Sequence, residues 1–267
     1  MRSRGREDTV RSSTQNIPMI AITRDVSRSL GDCELSFVDR VPIDVERAAA
    51  QHEAYRRALE SLGCEVIALA AEHDLPDAVF VEDIAIVTRP GAPSRRPEVE
   101  SIARELGRHR TLATIEVPGT VDGGDVLTID RSIYVGVSAR TNADGIAQLR
   151  RMAGAVGYTV EAVATRGCLH LKSAVTEVAE GTILINPEWV DRIAFAPLRQ
   201  IDIDPGEPHA ANALRIGDGA IYPASFPKTL RRLESAGIRP MLVDVSELQK
   251  AEGAVTCCSL VFGGTRK

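Results

Sequence analysis

Two adjacent cysteines, Cys257 and Cys258, lie close to the C-terminus of this chain of 267 residues. Adjacent thiols do not form an ordinary disulfide with each other, and they lack the spacing of a zinc knuckle. Three interpretations remain: a buried structural pair, a redox pair, or one nucleophile beside a bystander thiol. The other polar residues that stand out in the sequence favour the nucleophile.

Two neighbouring acids, Glu82 and Asp83, interrupt an apolar stretch that the sequence predicts to be a strand over residues 79–87. Neighbouring side chains on a strand point to opposite faces, so one of the two acids must enter a packed layer or a cavity. A buried carboxylate needs a cationic partner. That partner is either an arginine or lysine of the chain, in an internal salt bridge, or the cationic group of a substrate.

A second acidic motif, Asp122-Gly123-Gly124-Asp125, directly precedes a predicted strand. Asp-Gly is typical of a tight turn with side-chain hydrogen bonds to the backbone. Alternatively, the glycines bring the backbone close to a ligand while one aspartate orients a catalytic base. The motif is not the dinucleotide-binding fingerprint, because no Gly-x-Gly-x-x-Gly leads into a helix.

His170 lies in an apolar alternation, where a histidine is commonly a hydrogen-bonded core residue. It is nevertheless the best candidate for a general acid/base, since the other four histidines fall on a helix stripe or in polar loops. Arg95 and Arg140 are predicted to lie in loops next to helices. Surface arginines are common, but such positions also suit a bidentate clamp on a carboxylate.

The elements that must position these residues repeat along the chain. Strand, strand, helix and strand follow one another about every 40 to 50 residues, a period typical of radial or solenoidal repeats. The predicted strands span 19–23, 64–69, 79–87, 111–117, 126–129, 133–137, 158–163, 173–178, 182–185, 213–216, 220–222 and 240–245, with another near 201. The predicted helices span 44–62, 97–106, 143–156 and 227–235, with a short helical piece near 188–192. The repeat favours a ring of strands with helices outside and a central channel, and an open mixed sheet is the alternative.

The composition excludes several classes of function. Aromatic residues make up only 4% of the chain and the net charge is −5, which disfavours a nucleic-acid partner. No apolar run approaches the roughly 18 residues of a membrane span. Residues 1–17 are polar and are predicted to be a disordered tail before one domain over 18–267. Five cysteines without framework spacing indicate a reduced, cytoplasmic protein without a structural metal.

Six segments of this chain, in order, resemble the dimethylarginine dimethylaminohydrolase family. They are Leu75–Asp83, Thr88–Arg96, Asp122–Leu127, Ser138–Asn142, Leu169–Ser173 and Gly253–Ser259. They extend the resemblance over nearly the whole chain. The family belongs to the guanidine-modifying (pentein) superfamily, so the resemblance implies an α/β fold, a five-bladed α/β propeller of ββαβ modules around a central channel.

The resemblance also implies a role for each matching residue. Cys257 matches the nucleophile, His170 the general acid/base, and Asp122 the acid that orients it. The implied substrate-binding residues are Asp83 and Glu82 for the guanidinium, Arg95 and Arg140 for the α-carboxylate, Asp77 and the carbonyl of Leu35 for the α-amino group, and the backbone of Ala251. Glu252 stands where the family carries aspartate, and we expect it to support the site.

The implied reaction is hydrolysis of methylated L-arginine to L-citrulline and methylamine or dimethylamine through a covalent thiouronium on the cysteine. The resemblance implies no cofactor, although zinc is expected to inhibit by binding Cys257 and His170. The partner is a small molecule, and the chain is expected to be a monomer or a homodimer. The alternatives are another guanidine-modifying enzyme such as an arginine deiminase, or a non-catalytic binder of arginine analogues.

Overall fold

The computed structural model describes residues 19–84 and 90–263, and within them the chain forms four three-stranded sheets. The strands are β1 (Met19–Arg24), β2 (Cys64–Leu69), β3 (Val126–Ile129), β4 (Ser132–Val137), β5 (Thr159–Ala164), β6 (Val175–Ala179), β7 (Thr182–Ile185), β8 (Arg199–Asp202), β9 (Leu214–Ile216), β10 (Gly219–Pro223), β11 (Met241–Val243) and β12 (Leu260–Gly263). The α-helices are α1 (Val45–Ser61), α2 (Glu98–Leu106), α3 (Ala143–Gly154), α4 (Leu171–Ala174), α5 (Pro227–Ser235) and α6 (Ser246–Gln249).

Three of the sheets have the same construction. An antiparallel pair (β3 and β4, β6 and β7, or β9 and β10) is followed by a strand parallel to its second member. Parallel strands cannot be joined by a tight turn, so a crossover is needed. Helix α3 joins β4 to β5 and α5 joins β10 to β11, while a 3-10 helix at Arg192–Phe195 lies between β7 and β8. The predicted strand–strand–helix–strand repeat is therefore confirmed.

The remaining sheet joins the two ends of the described chain. Strand β1 pairs in parallel with β2 and antiparallel with β12, so that Ile22 lies opposite Leu260. Strand β12 thus lies at the sheet edge that the first strand of the antiparallel pair (β3, β6 or β9) occupies in the other three sheets. As a result, the segment just before β12, which carries Cys257, is fixed against the first module.

Helix α1 shows how closely local sequence signals set the boundaries. The Asp44 side chain accepts a hydrogen bond from the backbone N–H of Arg47 at 3.0 Å, which caps the N-terminus. Gly63, with φ of +87°, follows the helix in the left-handed region that glycine adopts most readily. Tyr55 and Leu59 are fully buried against the core of the first sheet.

Two predicted strands are wrong over the described residues. Residues 79–84 form successive turns, with the N–H of Phe80 bonded to the carbonyl of Asp77 at 2.9 Å, and residues 85–89 lie outside the described residues. Residues 111–117 are irregular. The apolar stretch at 79–84 reflects burial rather than strand geometry, because Val79, Val81 and Ile84 are all buried although their backbone is bent.

The prediction of a strand over 173–178 is also wrong at its start. Residues 171–174 form the single-turn helix α4, closed by a hydrogen bond from the N–H of Ser173 to the carbonyl of His170 at 3.0 Å, and β6 begins only at Val175. The short helical piece expected near 188–192 lies at Arg192–Phe195. The α4 turn matters because it places His170 at the N-terminus of a helix rather than within a strand.

Each sheet packs against its own crossover. Ile133 of β4 packs with Ile146 of α3, and Tyr222 of β10 packs with Leu233 of α5. Among the described residues, no helix is long and apolar enough to cross a bilayer. The predicted N-terminal tail, 1–17, lies outside the described residues.

Candidate active site

A single pocket gathers most of the residues that the sequence singled out. Its lining comprises Glu34, Asp77, Phe80, Asp83, Arg95, Arg140, Leu169, His170, Ala251, Glu252, Gly253 and Cys257. These residues come from separate modules, and most of them lie in loops and turns. The pocket thus brings a thiol, an imidazole, several carboxylates and two guanidinium groups together.

The two adjacent thiols have different surroundings. Cys257 is partly exposed and lines the pocket, whereas Cys258 is fully buried and its Sγ atom contacts the carbonyl of Ala254 at 3.3 Å. Burial raises the pKa of the Cys257 thiol, and the nearby charges of Asp83 and Glu82 raise it further. Both effects favour the protonated form of the thiol.

His170 lies between two carboxylates. Its Nε2 atom is 3.4 Å from Oδ2 of Asp122, and its Nδ1 atom is 3.9 Å from Oδ1 of Asp83. Burial lowers the pKa of His170, but the charge of Asp83 and the hydrogen bond to Asp122 outweigh it and raise the pKa to about 9. The imidazole is therefore charged at neutral pH and can act as an acid.

Asp122 is itself held in place on two sides. Its Oδ1 atom accepts a hydrogen bond from the N–H of Gly91 at 2.7 Å, and its own N–H donates to Oγ1 of Thr141 at 3.0 Å. The side chain is almost completely buried. This leaves Oδ2 facing His170, as the predicted orienting role requires.

Asp125, the second acid of the same motif, is a residue for which the sequence analysis gave no role. Its Oδ2 atom accepts hydrogen bonds from Ser138 Oγ at 2.6 Å and Thr141 Oγ1 at 2.7 Å. Its Oδ1 atom accepts the N–H of Leu171, the residue after His170, at 2.9 Å. Asp125 thus fixes the backbone that carries the imidazole.

The two glycines of this motif are required by close approaches rather than by an unusual φ. A Cβ atom on Gly123 would lie 2.0 Å from the carbonyl oxygen of Glu82, and one on Gly124 would lie 2.4 Å from Nδ1 of His170. The turn that the sequence offered as one alternative is therefore present, and the close approach to a ligand stays a prediction. The motif forms a 3-10 turn at Gly123–Asp125, and it also lets the backbone pass directly beside site residues.

Asp83 is paired on one side and free on the other. Its Oδ2 atom accepts a hydrogen bond from Nη1 of Arg95 at 2.6 Å, while its buried Oδ1 atom has no hydrogen-bond partner among the described residues. Burial opposes ionisation, but the charges of His170 and Arg95 hold the pKa of Asp83 below its usual value. An ionised oxygen with unused acceptor capacity suits a cationic ligand.

Arg95 makes more hydrogen bonds within the protein than the sequence indicated. Its Nε and Nη2 atoms donate to the buried carboxylate of Glu98 at distances of 2.7 to 3.2 Å, and Nη2 also reaches the carbonyls of Asp77 and Phe80. With Nη1 on Asp83, few of its five donors remain for a substrate carboxylate. The predicted role of Arg95 as a carboxylate ligand gains no support from this geometry.

The guanidinium of Arg140 makes longer ion-pair contacts than that of Arg95, so it is more available to a ligand. Its Nη2 atom is 3.6 Å from Oε2 of Glu34, and its Nη1 atom is 3.9 Å from Oδ2 of Asp122.

Asp77, predicted to bind an α-amino group, is buried and accepts the N–H of Glu34 at 3.2 Å. Leu35 packs its side chain against the core of the first module and does not line the pocket.

Glu82 forms the internal salt bridge that the sequence offered as one alternative. Its Oε1 atom is 2.5 Å from Nζ of the buried Lys172, and its buried Oε2 atom has no hydrogen-bond partner within the part of the chain that the structure describes. Burial raises the pKa of Glu82 to about 7, although Lys172 opposes the increase. Ligand atoms of Glu82, Asp83 and Cys257 lie within 4.8 Å of one another, so the acids closely surround the thiol.

Glu252 contacts the loop over the pocket. Its Oε1 atom accepts the N–H groups of Ser36 at 2.9 Å, Val38 at 2.8 Å and Phe37. The residue has φ of +57°, an uncommon value outside glycine, which directs its side chain toward this loop. Ala251, beside it, is buried in the wall of the pocket.

The fold has solved counterparts. A structure of the dimethylarginine dimethylaminohydrolase of Pseudomonas aeruginosa, a cysteine-to-serine variant complexed with citrulline, aligns with a TM-score of 0.85 at 33% identity, covering 92% of this chain and 100% of that chain. The predicted α/β propeller is confirmed by this similarity. Fold and pocket together define an α/β propeller of the guanidine-modifying superfamily.

The family follows from the sequence comparisons. Residues 38–194 match the model described as "N,N dimethylarginine dimethylhydrolase, eukaryotic". A dimethylarginine dimethylaminohydrolase of Pseudomonas aeruginosa is 36% identical over 250 residues, covering 90% of this chain and 98% of the relative. A protein of the same name from Streptomyces coelicolor is 39% identical over 248 residues, covering 90% and 95%. The chain belongs to the dimethylarginine dimethylaminohydrolase family.

Proposed function

We propose that this protein hydrolyses Nω,Nω-dimethyl-L-arginine and Nω-monomethyl-L-arginine to L-citrulline and dimethylamine or methylamine. The observation that carries the proposal is the shared pocket of Cys257, His170 and Asp83 in a chain of this family. A binder of arginine analogues needs the carboxylates but not a thiol beside a charged imidazole. A cysteine-to-serine variant of a relative in complex with citrulline is consistent with the same product.

Substrate binding begins with charge. The Oδ1 atom of Asp83 has no hydrogen-bond partner among residues 19–84 and 90–263, so the ionised side chain accepts N–H groups of the guanidinium, and Glu82 lies beside it. Asp77 receives the α-amino group, and Arg140 offers the more available donors for the α-carboxylate. Keeping the guanidinium protonated matters because the neutral guanidine carbon is a poor electrophile.

The bound cation activates the nucleophile. Burial and the two carboxylates Asp83 and Glu82 raise the pKa of the Cys257 thiol. A guanidinium a few ångströms away neutralises those carboxylates and favours the thiolate, so the thiol proton passes to solvent. The thiolate attacks the central carbon and forms a C–S bond, and the C=N electrons move onto nitrogen. A thiol activated only by its substrate is protected from other electrophiles.

His170 supplies and then recovers the proton. The imidazolium donates to the leaving dimethylamine or methylamine nitrogen as the C–N bond breaks, and a covalent thiouronium remains on Cys257. The neutral imidazole, oriented by Asp122, then takes a proton from water. The resulting hydroxide attacks the same carbon, the C–S bond breaks, and the thiolate is restored. The hydroxyl proton passes to solvent as the carbonyl of citrulline forms.

The chemistry requires no metal or organic cofactor, and zinc binding at Cys257 and His170 stays a prediction for an inhibitory complex. We also propose a cytoplasmic location, because all five cysteines are free thiols. The protein is proposed to act as a monomer or a homodimer.

The decisive experiment measures citrulline release by the full chain from dimethylarginine, monomethylarginine and arginine. We expect turnover of the methylated substrates to exceed that of arginine. Cys257→Ser should abolish turnover, and Cys258→Ser should retain most of it. Faster turnover of arginine would instead indicate a deiminase, and calorimetric binding without product would indicate a binding protein.

A further inference from the structure

Asn212 is a buried amide for which neither the sequence motifs nor the proposed mechanism gives a role. It lies just before β9, with only 3% of its surface exposed, and it lines the cavity next to the active site. A buried amide must place its donors and acceptors on defined partners. The partners of Asn212 are two residues that adjoin the reacting groups.

The first partner is the residue before the nucleophile. The Oδ1 atom of Asn212 accepts the backbone N–H of Thr256 at 3.1 Å, and its Nδ2 atom donates to Oγ1 of Thr256 at 2.9 Å. Thr256 is itself buried. These two bonds hold the peptide and side chain of Thr256 in one orientation, and Cys257 follows directly.

The second partner belongs to the segment of the general acid. Nδ2 of Asn212 also donates to the carbonyl of Lys172 at 3.0 Å, two residues after His170. One amide group therefore connects the α4 turn to the nucleophile segment. These segments lie more than 80 residues apart in sequence and share no sheet, since α4 precedes β6 and Cys257 precedes β12.

The side chain of Lys172 extends the same connection to the guanidinium-binding acids. Its Nζ atom holds Glu82, and the N–H of Glu82 donates to the carbonyl of Cys257 at 3.2 Å. The cysteine is therefore fixed from both sides: by Asn212 through Thr256, and by Glu82 through its own carbonyl. The segment around Cys257 consists of turns without a regular hydrogen-bond ladder, so such side-chain contacts decide its position.

We infer that Asn212 is a positioning residue that sets the placement of Cys257 relative to His170 in the hydrolytic reaction. The inference rests on the proposed function for the meaning of that geometry. Small displacements of reacting groups reduce turnover strongly, whereas the groups that bind the amino acid part of the substrate do not contact Asn212. Loss of Asn212 should therefore affect kcat rather than KM.

The test compares Asn212→Ala with Asn186→Ala. Asn186 is equally buried, at 2% exposure, and its Nδ2 atom donates to the carbonyl of Pro208 at 3.0 Å, outside the site. We expect Asn212→Ala to lower kcat about 10- to 100-fold with KM within about twofold of wild type. Asn186→Ala should leave both within about twofold, whatever it does to the melting temperature.

A second measurement is independent of turnover. The pH profile for alkylation of Cys257 by iodoacetamide reports the surroundings of the thiol. In Asn212→Ala the segment around Cys257 is no longer held by the amide and becomes hydrated. Hydration favours the thiolate, so we expect the alkylation profile to move to lower pH by about half a unit or more. Intact mass must show a single adduct, since an unfolded chain would expose all five thiols.

Asn212→Asp and Thr256→Val repeat the test if Asn212→Ala does not fold. Asn212→Asp keeps the oxygen that accepts the Thr256 N–H but loses the N–H that donates to the Lys172 carbonyl. Thr256→Val removes only the Oγ1 atom that accepts from Asn212. A folded variant with kcat within twofold of wild type, or with an unchanged alkylation profile, overturns the inference. So does an equal loss in Asn186→Ala. If the wild-type chain releases no citrulline, the proposed function fails, and the alkylation profiles still decide whether Asn212 positions the thiol.

Discussion

The Nε2 atom of His170 lies 3.4 Å from the Oδ2 atom of Asp122, and both side chains are almost completely buried. With Asp83 on the opposite side of the ring, this arrangement raises the pKa of the imidazole to about 9. A histidine that is charged at neutral pH can protonate a leaving amine without first taking a proton from the thiol. The thiol proton instead leaves when the cationic substrate binds.

The first prediction concerns the pH dependence of catalysis by the free enzyme. If His170 must be protonated, kcat/KM should fall as the pH rises through about 9. Asp122→Asn removes one source of the raised pKa, so the falling limb should move to lower pH by about one unit. The pH profile of kcat/KM checks this, with the exposed Asp218→Asn as control. A falling limb that stays in place in Asp122→Asn would contradict the assignment of the acid.

The second prediction concerns the glycine beside the imidazole. Gly124→Ala places a Cβ atom 2.4 Å from Nδ1 of His170, so the ring must move. We expect kcat to fall by about 100-fold. Gly154→Ala is the matched control, because no atom of the described residues lies within 4 Å of the position its Cβ would take, apart from the glycine itself, its chain neighbours and the backbone of its own helix. Steady-state kinetics and circular dichroism spectra of both variants provide the comparison. A normal kcat in Gly124→Ala would show that the His170 ring can move without loss of activity.

The third prediction concerns the buried ion pair behind the pocket. Removing the carboxylate of Glu98 takes the acceptors from Nε of the buried Arg95 guanidinium and leaves Asp83 as the one carboxylate that pairs with it among the described residues. Glu98→Ala should therefore lower the free energy of unfolding by about 3 to 5 kcal/mol. Glu100→Ala breaks an exposed pair with Arg104 on the same helix and should cost about 1 kcal/mol or less. Urea unfolding of both variants measures the difference, and equal costs would refute the burial argument.

The fourth prediction concerns Glu252 and the loop that it holds. Glu252→Ala removes the acceptor shared by the N–H groups of Ser36, Phe37 and Val38, so hydrogen exchange of these amides should accelerate. We expect KM for dimethylarginine to rise about tenfold, because a loosened loop no longer shapes the pocket. Glu252→Gln retains an acceptor oxygen and should lie between Glu252→Ala and wild type. A higher KM with unchanged exchange would mean that Glu252 contacts the substrate instead.

Local signals in the sequence predicted several elements correctly. Asp44 and Gly63 bound α1, and the apolar runs at 64–69 and 182–185 are β2 and β7. These predictions succeeded because capping residues and short apolar runs act through near neighbours. The strand expected at 79–87 is wrong over residues 79–84, because a buried turn and a buried strand have the same apolar composition.

The sequence alone determined the family, the repeat and the inventory of reactive groups, since motif order and residue chemistry are properties of the chain itself. The tertiary structure decided which groups face one another. Cys257, and not Cys258, lines the pocket, and the Glu98 carboxylate accepts hydrogen bonds from the Arg95 guanidinium. Asn212 connects two segments that are remote in sequence. Such pairings depend on how separate modules pack around the channel. Residues such as Glu98 and Asn212 carry no local signal of their partners, because those partners are brought close only by folding.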